Sequence, residues 1–96
     1  MSEFVVVFPL YPGVTQLDFT GPHQVFSRLP DAKVVAASVG GRDVEADGLV
    51  FARLADLAAV ARCDLLCVPG GFGTTEAMLD EAYMAQVRRL AAGAAL

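Results

Sequence analysis

Two short stretches of this chain hold the residues best suited to chemistry. The first is "VTQLDFTGPHQVF", where Asp18 interrupts an apolar helical pattern and Gly21-Pro22 falls where a helix should run straight. A carboxylate partly buried at the carboxyl end of a strand is harder to ionise than one in water, and can pass a proton at neutral pH. The spacing Thr15-x-x-Asp18 equally fits a capping box, with Asp18 favoured at the third helical position by the helix dipole. The second stretch is "LLCVPGGFGTT", an apolar run followed at once by Pro69-Gly70-Gly71 and a capped helix. Glycines there let backbone N–H groups come close to a developing negative charge; an ordinary strand-to-helix turn is the alternative. As a dinucleotide fingerprint the stretch fails, because Glu76 stands where the last glycine of G-x-G-x-x-G belongs, and no Gly-Lys-Ser/Thr phosphate loop exists.

The other reactive side chains have less to recommend them. Cys67 lies inside an apolar run with no base beside it, and Cys63 begins the same run, so both read as inert, reduced thiols. Four residues of extended chain separate them too widely for a disulfide. His23 is the single histidine and reads as a packing or surface residue. One histidine and two such cysteines cannot build a metal cluster.

The elements that must position these residues follow from hydrophobic period. "FVVVF" (4–8) is a continuous β-branched and aromatic run closed by prolines, which predicts a strand buried on both faces, as in a parallel sheet. Val14, Leu17, Gly21 and Val25 recur at helical spacing behind Thr15, which predicts a helix with that stripe on the sheet. Thr20 can cap a second segment with Pro22 in its first turn, so a bend is expected there, turning Asp18 inward. A strand at 32–40, a hairpin around Asp47-Gly48, a short helix at 54–61, a strand at 64–68 and one helix at 74–93, capped by threonine and closed by Gly93, complete the order. The result is an α/β chain: an open, mostly parallel, flavodoxin-like (Rossmann-like) sandwich. In such sheets ligands bind outside the carboxyl ends of the strands, where Asp18 and Gly70-Gly71 both fall.

Composition narrows the classes. The chain has 96 residues, 55% of them apolar and 19% charged, enough for one domain with a real but marginal core. Eleven acidic against seven basic residues give a net charge of -4, with no basic patch for nucleic acid. The N-terminus lacks the pattern of a signal peptide and no run approaches a membrane span, so a cytoplasmic protein is expected.

The blocks "FPLYPGVTQLDFTGPHQVFSRLP", "GLVF" and "DLLCVPGGFGTTEAMLDEAYMAQVRRLAAGA", in that order, resemble the N-terminal half of the isonitrile hydratases, in the PfpI-type group of the class I glutamine amidotransferase-like superfamily. The resemblance covers essentially the whole chain, 1–96, as the first part of one PfpI-type domain. It implies that Asp18 is the acidic residue beside a nucleophilic cysteine, and that the backbone N–H groups of Gly70 and Gly71 face that cysteine. It also implies that the nucleophile lies about ten residues past Leu96 on an elbow strand, so that this chain stops short of it, leaves a sheet edge open, and is inactive alone. The reaction implied is addition of water to an isonitrile, giving an N-substituted formamide, without metal or organic cofactor and in a homodimer. The same sequences resemble the ligand-sensing domain that opens many AraC-type transcription regulators, and a non-catalytic fragment or binding module is a third reading.

Overall fold

The computed structural model describes residues 3–96. Strand β1 (Phe4–Pro9) forms where the sequence predicts it, and Val6, Val7 and Phe8 are fully buried, as expected of a strand covered on both faces. It pairs in parallel with β2 (Ala32–Ser38) on one side and with β6 (Leu65–Leu66) on the other. Strand β5 (Ala55–Asp56) adds to the outer side of β2, giving a four-stranded, all-parallel sheet in the order β5-β2-β1-β6. Strands β3 (Val44–Ala46) and β4 (Leu49–Phe51) form a separate antiparallel hairpin. Its Asp47-Gly48 turn has φ of 54° and 80°, the positive angles a tight two-residue hairpin requires.

Helix α1 (Gln16–Ser27) departs from the expected bend: it is one continuous helix with Pro22 inside it. Pro22 stands in the middle of the helix and removes one intrahelical bond, the one its missing N–H would give to the Asp18 carbonyl. The buried face differs too. Leu17 and Val25, expected on the sheet, are 65% and 63% exposed, whereas Phe19 is buried and Phe26 half-buried. Aromatic area decides this phase, since Phe19 packs edge-on at 5.3 Å from Phe8, 5.1 Å from His23 and 5.1 Å from Phe51. That cluster ties α1 to β1 below and to the hairpin beside it.

Residues 54–61, read as a helix, instead supply β5 and a 3-10 turn over Leu57–Ala59. Ladder bonding to β2 outweighs the weak helical preference of an alanine-rich run, and the Asp56 carboxylate accepts from the Ala58 N–H at 3.0 Å, ending the strand. The helix expected at 74–93 is two: α2 (Thr74–Leu79) and α3 (Glu81–Gly93). Asp80 breaks the run because its side chain caps α3, accepting from the Tyr83 N–H at 3.2 Å. The cap of α2 is Gly73, not a threonine, and α3 runs through Gly93 instead of closing before it. No helix among the described residues is long and apolar enough to cross a membrane.

Candidate functional site

Parallel strands β1 and β6 end side by side, so the loops that follow them must share one space at the carboxyl edge of the sheet. They do so by packing backbone on backbone. The Thr15 N–H donates to the Gly70 carbonyl at 2.8 Å, the Gly73 N–H donates to the Gly13 carbonyl at 3.2 Å, and Val14 and Gly71 form an isolated antiparallel bridge. Glycine is obligatory at two of these points. A Cβ on Gly71 would lie 2.5 Å from the Thr15 nitrogen, and one on Gly73 would lie 2.0 Å from the Pro12 carbonyl oxygen. The Tyr11 hydroxyl, buried at the end of β1, donates to the Pro69 carbonyl at 2.5 Å and fixes the start of the turn.

This clamp brings Asp18 to Gly70. A Cβ on Gly70 would stand 3.0 Å from Asp18 Oδ2, so the carboxylate occupies the space that a side chain at 70 would fill. The capping-box alternative does not describe this arrangement. Thr15 makes no side-chain capping bond, and its N–H, which an acidic residue three positions on would have to accept, is committed to Gly70. Among the described residues neither the Gly70 nor the Gly71 N–H has an acceptor, and the Asp18 carboxylate accepts no hydrogen bond. The Asp18 carboxylate thus stands beside Gly70, in a turn whose Gly70 and Gly71 amides are uncommitted among the described residues. Asp18 is nonetheless exposed, not partly buried as the sequence suggested, because its flank of α1 carries no cover.

Phe72, held between the two anchored glycines, is fully exposed beside this site. The cysteines are both free, as expected; Cys63 is buried, but Cys67, which its place inside an apolar run suggested would be enclosed, is only half-buried, since β6 is too short to cover it. Burial pushes both thiols up from their ordinary range, and at Cys63 the neighbouring Asp64 charge adds to the effect. His23 packs against Phe8 and Phe19, the structural role expected of it. Sequence reasoning passed over Tyr11 and Tyr83. The Tyr83 hydroxyl donates to the Pro9 carbonyl at 2.8 Å, and burial raises its pKa far above that of an exposed phenol. The available signal was that a buried tyrosine must find a partner for its hydroxyl.

On the side of β6 away from β1, the Leu96 N–H donates to the Asp64 carbonyl at 3.1 Å and the Leu66 N–H donates to the Leu96 carbonyl at 3.1 Å. This is the bonding of a parallel neighbour, with Leu96 opposite Leu65.

No family model matches the chain. The sheet and its helices match part of the DJ-1/PfpI fold. A ThiJ/PfpI family protein from Pseudomonas syringae superposes with a TM-score of 0.81 at 30% identity, over 90% of this chain and 37% of that one. Drosophila melanogaster DJ-1beta superposes with a TM-score of 0.76 at 26% identity, over 93% of this chain and 49% of that one. Among curated proteins, an isonitrile hydratase from Pseudomonas putida is 35% identical over 91 residues, which are 91% of this chain and 39% of the relative. The chain is thus homologous to part of isonitrile hydratase and of ThiJ/PfpI/DJ-1 family proteins, and spans well under half the length of the curated relative.

Proposed function

We propose that this stretch supplies the proton-transfer group and the amide donors of an isonitrile hydratase-type site, with the nucleophilic cysteine carried by chain beyond Leu96 and a second copy of the protein completing a homodimer. The observation that carries the reading is the approach of Asp18 Oδ2 to Gly70, beside two backbone N–H groups without acceptors. A parallel strand continuing from Leu96 in its present register reaches the level of Gly70 after about five residues, closer than the ten expected from sequence. A cysteine there would face both features.

The chemistry balances with those groups. A thiolate adds to the terminal carbon of R–NC while the Asp18 carboxyl gives that carbon its proton, forming a thioimidate, R–N=CH–S–Cys. The carboxylate left behind takes a proton from water as the oxygen attacks the same carbon. Collapse returns the thiolate and leaves R–NH–CHO, so one water is consumed and nothing is oxidised or reduced. The Gly70 and Gly71 amides stabilise the charge that develops during attack. Exposure of Asp18 keeps water within reach of it.

The test is Asp18→Asn in the full product of the gene, assayed for formamide release from a simple isonitrile. Turnover should fall about a hundredfold or more, the scale for losing a positioned acid or base, with the fold retained. Unchanged turnover, or no hydration by the unsubstituted protein, would sink the reading.

A further inference from the structure

A cavity of about 250 Å³ lies at the carboxyl end of the sheet, walled by the chain after β1, the turn after β2 and helices α2 and α3. Its floor is apolar and buried: Leu10, Tyr11, Val44 and Tyr83. The charged groups at its mouth are of both signs and exposed: Arg42 and Asp43 from the turn after β2, and Glu76 and Asp80 from α2 and its cap. The polar groups of the floor are already satisfied, because Tyr11 donates to Pro69, Tyr83 to Pro9 and the Ser38 hydroxyl to the Arg42 carbonyl at 2.6 Å. One Asp80 oxygen is committed to the Tyr83 N–H. By contrast, the Arg42 guanidinium and the Asp43 and Glu76 carboxylates make no ion pair or hydrogen bond among the described residues, where Arg62–Asp64 is the single salt bridge.

An apolar floor that asks for no hydrogen bond, beneath a mouth with an unpaired cation and unpaired anions, selects a ligand of matching shape. A lone anion would meet the carboxylates, and a lone cation would meet Arg42. We propose that this cavity binds a small zwitterion with an apolar tail, of the class of a branched-chain or other apolar α-amino acid. Its carboxylate lies on Arg42, its ammonium on Glu76 and Asp43, and its side chain on Tyr11, Val44 and Tyr83. The volume suits a ligand of that size and is too small for a nucleotide. This site is separate from Asp18 and Gly70, although Tyr11 both lines the cavity and holds the Pro69 turn.

Titration of the protein, as its gene encodes it, with leucine, 3-methylbutylamine and 4-methylpentanoate distinguishes the parts, followed by the backbone amide resonances of Tyr11, Val44 and Tyr83. Leucine should give saturable shifts at millimolar or lower concentration, and each analogue that lacks one charge should bind about tenfold or more weakly. Arg42→Gln and Glu76→Gln should each weaken leucine by a similar factor with unchanged melting, since neither side chain bonds to the fold. Absence of saturable shifts up to about 10 mM leucine, or equal binding of either singly charged analogue, overturns the proposal.

Discussion

The loops after β1 and β6 are fixed to each other by backbone contact, while Phe72 and Asp18 beside that contact stand in the open. Gly71 and Gly73 lie against Thr15 and Pro12 with no room for one carbon, yet Phe72 between them is fully exposed. Asp18 and the two glycine amides share this division, held in place by the chain but not enclosed by it. The comparison teaches that the positions of the candidate groups are fixed by backbone packing, whereas their shielding from solvent is not.

The sharpest way to break that comparison is at the glycines. Gly73→Ala drives a methyl to 2.0 Å from the Pro12 carbonyl oxygen and should cost about 3 kcal/mol or more, lowering the melting temperature by well over 5 °C. A variant that melts like the parent would show that the loops can part without loss. Next comes Tyr83→Phe, which leaves the buried Pro9 carbonyl without its donor and should cost about 1 to 3 kcal/mol in denaturant unfolding. Gly70→Ala sharpens the contrast from the other side. Its methyl meets only the mobile end of Asp18, so the stability change should stay within about 1 kcal/mol while Asp18 is displaced; a loss as large as that at Gly73 would refute the assignment of space at 70 to the carboxylate.

The smallest effect is expected at the opposite end of the strands. Asp64 accepts from the Val5 N–H at 2.7 Å and from Arg62 at 2.8 Å, and these two donors, in that order, hold its carboxyl below the usual carboxylate range. A group whose pKa is lower folded than unfolded stabilises above its unfolded value and loses that contribution as pH falls through the folded one. Stability should therefore drop below about pH 4, and Asp64→Asn should flatten that part of the profile. An acid limb of unchanged slope would show that the pair contributes nothing.

Much of the frame was legible because some segments permit one reading. The β-branched run of β1 suits only a doubly covered strand, and Asp47-Gly48 suits a tight hairpin turn. Other segments were settled by partners distant in sequence. The alanine-rich run at 54–61 became strand because β2 offered it a ladder, and α1 turned Phe19 inward because Phe8 and Phe51 were there to meet it. Asp80 was legible in principle, as a good capping residue inside a helical run, but propensity alone does not say when a cap wins. At the candidate site the residues were readable and their meeting was not. Thr15-x-x-Asp18 allowed a capping box, and it is the bond from the Thr15 N–H to Gly70, with the Thr15 side chain making no cap, that removes that option.

The central place of β1 also has a meaning in time. Its two neighbours arrive separately: Val6 pairs with Val34 on one edge and with Leu65 on the other. A ribosome adds about 5 to 20 residues per second, so the second edge of β1 stays unpaired for a few seconds after the first is closed. During that interval α1 and β2 can assemble around Phe8, but Asp18 has no glycine turn to face. The candidate site cannot come into existence before β6 and its glycine turn, and the open edge of a fully apolar strand is what a nascent chain must keep from other chains until β6 emerges.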